Sequence, residues 1–139
     1  HTGEYLIVDQ LSYRFQDPVR GSVVIFRYPD NPSKFFVKRI IGLPSETISI
    51  EDGTVRIFNT EHPDGFVLDE PYVTHASTDD TYLKLSSHEY FVLGANRPQS
   101  SDSRVWGALE KKFIVGRPFV RLLPPTEITL FPGAYRYQH

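Results

Sequence analysis

The stretch FFVKRIIGLP, residues 35–44, decides the fold class and carries the most informative side chain, Lys38. Phe, Val and Ile dominate it and Gly42 and Pro44 close it, which is the composition of a β-strand. Side chains alternate between the two faces of a strand, so Phe36, Lys38 and Ile40 share one face while Val37, Arg39 and Ile41 share the other. The two adjacent cations therefore point in opposite directions, and one of them must sit among apolar neighbours. An ammonium held against apolar surface has its charged form disfavoured and can accept a proton near neutral pH. On the strand pattern alone, a lysine on an edge strand with its head in water is the commoner reading.

Working outward, strand chemistry recurs at 4–8, 22–28, 46–50, 54–58, 81–85, 89–94 and 113–123. Asp52-Gly53 between two alternating runs predicts a β-hairpin over 46–58. Gly116 and Pro118 interrupt the last run and predict a bulge or an edge position there, and 110–113 has room for one helical turn. Pro29, Asn31 and Pro32 predict a loop ahead of the central strand. Residues 59–80 are rich in His, Pro, Asp, Gly and Thr, with a short extended piece at 66–68, and read as an excursion from the main sheet. No sustained helical period appears, so the expected fold class is mainly β. The expected organisation is a core of 1–58 and 81–139 with 59–80 as a cap.

The 139 residues carry 15 basic and 17 acidic side chains, a formal net charge of -2. No charge run points to nucleic acid. The absence of cysteine excludes a disulfide framework, a thiol nucleophile and any cysteine-ligated metal. The five histidines never fall three or four residues apart, so no local metal motif is present, and neither metal nor cofactor is expected. No run approaches the length of apolar sequence a spanning helix needs. A chain that opens on His1 and contains no methionine is expected to be a piece of a longer one.

The second unusual segment is GANRPQSSDSR at 94–104, followed by Val105-Trp106-Gly107. By itself it reads as a polar loop in which Asp102 pairs with Arg104. Together with Gly3-Glu4-Tyr5-Leu6, Gly21 to Phe26 and the KRIIGLP block at 38–44, it resembles the bacterial type I signal peptidases, membrane-anchored serine proteases with a Ser-Lys dyad. The four blocks occur in the family's order and cover nearly the whole chain, and the last two are the specific ones.

The resemblance implies coiled antiparallel β-sheets of the signal-peptidase and repressor-protease type with a small β cap. It implies Lys38 as general base, Ser100 as the hydroxyl that orients it, and Asp102 with Arg104 as a supporting ion pair. The expected substrates are signal peptides of secreted preproteins, cut after Ala-x-Ala-like sites. The location it implies is the extracytoplasmic side of a cell membrane, reached through an anchor removed from the N-terminus. Phe36 and Val37 are candidate substrate-pocket residues, beside backbone that could receive the peptide as an added strand. The family's nucleophilic serine belongs to a segment just before the block at 3–6, so this chain as written is expected to be inactive. Three positions depart from the family pattern. Ala95 and Ser22 stand where Asp is common, and Ser45 where Gly is common. A self-cleaving repressor-type protease and a noncatalytic β-rich peptide-binding module are the alternatives; the GLP block and the SDSR loop argue against the first.

Overall fold

The computed structural model describes residues 4–9 and 17–122, and within these the chain is almost entirely β. In chain order the strands are β1 (Glu4–Asp9), β2 (Val23–Tyr28), β3 (Asn31–Gly42), β4 (Thr47–Glu51), β5 (Thr54–Phe58), β6 (Phe66–Val67), β7 (Thr81–Lys84), β8 (Glu89–Leu93), β9 (Leu109–Glu110) and β10 (Ile114–Leu122). One helical turn, α1 (Ser103–Trp106), lies between β8 and β9. A six-stranded sheet runs β1-β10-β2-β3-β8-β9 and a four-stranded sheet runs β6-β5-β4-β7, all paired antiparallel. The mainly β class expected from the sequence is the observed one.

The hairpin of β4 and β5 follows from its alternation. Ile48, Ile50, Val55 and Ile57 turn inward and are buried, and Asp52 and Gly53 supply the two positive φ angles of 50° and 78° that a tight hairpin turn needs. The expected cap took in only 59–80, with this hairpin in the core. In the structure the hairpin pairs with β6 and β7 in the smaller sheet.

β3 begins earlier than its composition predicts. Tyr28 pairs with Asn31 across the turn, and the register then shifts before Arg27 meets Phe35. Pro32 falls inside that irregularity, where a missing N–H breaks no ladder bond. The bulge expected near Gly116 is present as a register shift between Ile114 and Gly116, and the expected helical turn is the 3-10 turn Lys111–Phe113.

Strands β3 and β8 place their alternate side chains in two different cores. Ile40, Tyr90 and Val92 pack with Val24, Phe26 and Leu109. Ile41, Phe91 and Leu93 pack instead with Ile48, Ile50, Val55 and Ile57 of the smaller sheet. The change of company occurs at a bulge between Ile40 and Gly42. A Cβ on Gly42 would lie 2.4 Å from Ile48 Cδ1, so only glycine lets the strand approach the hairpin this closely.

Glu46 ties the junction together. Its carboxylate takes Arg20 in a bidentate pair at 2.6 and 2.8 Å, and accepts from the Leu43 N–H and Asn59 Nδ2 at 2.8 Å each. Burial alone would raise its pKa, but these hydrogen bonds and the Arg20 charge outweigh burial and hold it below the usual carboxylate range.

Candidate active site

Lys38 sits mid-strand on β3, opposite Val24 of β2. Its ammonium lies 5.8 Å from the centre of the Phe36 ring and donates to Ser100 Oγ at 2.9 Å. Arg39, one residue on, reaches the other way, donating to the Gly21 carbonyl at 2.8 Å and stacking 4.0 Å over Tyr72. Both cations are thus partly covered, and Lys38 meets a hydroxyl. Burial lowers the pKa of Lys38; Asp102 opposes that shift and the Arg104 charge adds to it. A lysine so placed can hold a neutral amine at a pH where an exposed one is an ammonium.

Ser100 arrives from the loop 94–104, which is built from buried polar groups. Asp102 is fully buried and caps α1, accepting from the Arg104 N–H, from the Gly94 N–H at 3.1 Å, and from two guanidinium nitrogens of Arg104 at 2.8 Å each. Ser103 Oγ accepts from the Val92 N–H at 2.9 Å. These bonds fasten the loop to the end of β8. Gly94 is where the loop and Lys38 meet: a Cβ there would stand 2.0 Å from Ser100 Oγ and 3.3 Å from Lys38 Nζ.

Four further residues complete this assembly, and three of them carried no sequence signal. Arg97 is buried, donating to the Gly94 carbonyl through Nε at 2.7 Å and to both oxygens of Glu70. Arg104 also donates to Asp79 at 3.1 Å, and Ser77 donates to the same Asp79 oxygen. Glu70, Ser77 and Asp79 come from the turn-rich excursion, 25 to 27 residues before the arginines they meet, where no periodicity links them to the loop. The only available signal was Arg97 itself, within the motif that also holds Ser100.

The two pocket candidates behave differently. Phe36 is half-buried, stacked on Tyr28 at 4.7 Å and edge-on to Phe26 at 6.2 Å, so most of its surface is spent on packing. Val37 is 46% exposed. Only β2 is registered against β3 as far as Lys38, and β8 joins at Arg39, so the other edge of 31–38 has no strand of the described residues beside it. A cleft of about 610 Å³ opens beside Ser100, walled by 76–81, Arg97, Pro98, Arg104 and Val105. Among the described residues no group of three His, Asp or Glu side chains could hold a metal ion, and no helix is long and apolar enough to cross a membrane.

Of the positions that depart from the family pattern, Ser45 adopts a φ of 70°, the left-handed region in which glycine is at ease. Ser22 donates to the Val19 carbonyl at 2.7 Å. Ala95 contributes its carbonyl to the Thr74 N–H.

Residues 1–123 match the family described as signal peptidase, peptidase S26. The chain is 36% identical over 131 residues to a probable signal peptidase I-2 of Synechocystis, covering 90% of this chain and 57% of the relative. It is 37% identical to a signal peptidase I of Leptolyngbya laminosa, covering 86% of this chain and 60% of that one. A crystal structure of a signal peptidase I from Enterococcus faecalis superposes with a TM-score of 0.62 at 31% identity, covering 73% of this chain and 96% of the other. The chain spans about three-fifths of the length of the two curated relatives. It belongs to the signal peptidase family.

Proposed function

We propose that this member of the signal peptidase family is the catalytic domain of a serine endopeptidase that removes signal peptides from exported preproteins after Ala-x-Ala-like sites. Lys38 is its general base and Ser100 the hydroxyl that orients the base. The observation that carries this reading is the 2.9 Å bond between Lys38 Nζ and Ser100 Oγ, across 62 residues of sequence. The attacking serine comes from the segment that in the family precedes the block at 3–6.

In the scheme, the neutral Lys38 amine takes the hydroxyl proton of that serine as its oxygen bonds to the scissile carbonyl carbon. The resulting ammonium returns the proton to the departing amine nitrogen as the C–N bond breaks. Water then repeats the sequence on the acyl-enzyme. Asp102 and Arg104 act one step back, by holding the loop that carries Ser100. The edge of β3 at 31–38, which has no strand of the described residues beside it, supports docking of the substrate as an added strand, with the exposed Val37 contacting it and Phe36 lending shape from beneath. An extracytoplasmic site on a membrane-anchored protein suits such a substrate.

The test is cleavage of an Ala-x-Ala peptide by the full-length protein and three variants. Lys38→Ala should abolish turnover with the fold intact. Ser100→Ala should lower kcat by ~10²-fold, the scale of lost positioning and proton-transfer assistance, with a smaller change in KM. Ser101→Ala should do little. Activity should rise with pH through the lowered pKa of Lys38, because the deprotonated amine is the working form. Equal rates for wild type and Lys38→Ala would remove the lysine from the mechanism.

A further inference from the structure

The residues from Glu70 to Asp79 lie along the loop 94–104 like a strap. The Thr74 N–H donates to the Ala95 carbonyl and the Arg97 N–H to the His75 carbonyl, each at 3.1 Å, and His75 pairs with Asn96 in a parallel bridge. At the head of the strap Glu70 grips Arg97 with both oxygens, at 3.1 and 2.5 Å. The two side chains are 12% and 4% exposed, so water does little to screen or replace this pair.

Arg97 has one more nitrogen to place, and Nε donates to the Gly94 carbonyl at 2.7 Å. A guanidinium is a rigid planar fork: with two nitrogens fixed on Glu70, the direction of the third is set. Both sides of Gly94 are therefore held, its N–H by Asp102 and its carbonyl by Arg97. Ser100 Oγ and Lys38 Nζ meet against this residue.

Resting on the dyad reading above, we propose that Glu70 is a positioning residue for the peptidase reaction. Through Arg97 it fixes the Gly94 carbonyl, and so the wall against which Ser100 presents its hydroxyl to Lys38. Without the carboxylate a buried guanidinium is left uncompensated and turns towards water, drawing Nε off the carbonyl. The Asp102–Arg104 pair still anchors the loop from its other end, so the consequence is a displaced hydroxyl rather than a collapsed loop. A base with a displaced partner is better hydrated and titrates closer to an ordinary lysine.

The experiment compares full-length wild type with Glu70→Gln and Arg97→Lys, and uses Ile57→Val, a hairpin-core change, as a control for lowered stability. Glu70→Gln is near-isosteric, and Arg97→Lys keeps the charge but loses the fork, so the two reach the same bond by different routes. Both should lower kcat about tenfold with KM changed less than about twofold, a loss of alignment rather than of binding. Both should move the acid limb of the pH–rate profile upward. Ile57→Val should lower the thermal midpoint and leave the profile in place. A profile and kcat matching wild type in either strap variant, or a lower thermal midpoint alone, would overturn the role of Glu70. Lys38→Ala in the same series separates the two ideas. If it still cleaves, the dyad reading falls. If it is inactive while the strap variants match wild type, the strap alone falls.

Discussion

The hairpin of β4 and β5 and the loop 94–104 both connect to the wall made by β3 and β8, yet they are held by opposite means. In the hairpin the buried groups are Ile48, Ile50, Val55 and Ile57. In the loop they are Arg97, Asp102 and Ser103. Apolar burial is strong but non-directional, and it tolerates small shifts of any one side chain. Charge-assisted hydrogen bonds fix atoms in distance and angle, and a guanidinium on a carboxylate does so at two points. The hairpin supplies stability, and the loop spends part of it on placing one hydroxyl. Stability and alignment should therefore respond to different substitutions.

The sharpest way to break this contrast is Gly94→Ala. The new Cβ would stand 2.0 Å from Ser100 Oγ and 2.7 Å from Ser100 Cβ, so the serine must move and the bond to Lys38 must go. Turnover of the full-length protein should fall by ~10³-fold, a misplacement effect, with the cooperative unfolding transition retained. An alanine enzyme of near-wild-type rate would show that Ser100 has more freedom than the loop's bonds allow. Next in size, Ile57→Ala should cost about 2–5 kcal/mol of stability, from lost burial and the cavity left behind. The kcat of the molecules that remain folded should be unchanged. A parallel loss of kcat in denaturant-free buffer would mean that hairpin packing does transmit to the site.

Smaller again is Glu46→Gln, which tests the junction between the regions. The folded-state pKa of Glu46 lies below its unfolded value, so its contribution is fully present above the ordinary carboxylate range and is lost as pH falls through the folded value. The variant should be less stable than wild type by about 2 kcal/mol at neutral pH, the scale of hydrogen bonds to a charged group that weaken when the carboxylate becomes an amide. The gap should narrow as pH drops below the carboxylate range. A gap independent of pH would assign the effect to shape rather than to charge.

The same contrast explains what the sequence disclosed. The hairpin was legible because alternation and Asp52-Gly53 are local signals, readable within a dozen residues. Lys38, Ser100, Asp102 and Arg104 stood out through a family pattern, and the structure brings all four together. Glu70 and Asp79 were invisible because an ion pair between distant segments leaves no period and no spacing in either. The start of β3 was hidden by Pro29 and Pro32, which read as a loop; Pro32 is accommodated inside a bulge, and bulges are set by pairing rather than composition. At Ser45 the departure from glycine was legible and its backbone setting was not: the residue is left-handed, with a φ of 70°.

The alternation of β3 and β8 makes them a party wall between the two cores, Ile40 and Val92 facing one room, Ile41 and Phe91 the other. Such a wall cannot melt on one side only: freeing the hairpin core exposes the backs of the strands that close the larger one. The two sheets are then expected to exchange as a single cooperative unit, with the amides of Ile40, Ile41 and Val92 opening on global unfolding, which native-state hydrogen exchange would read directly. The strand that carries Lys38 is then expected to be among the last of the described elements to come apart.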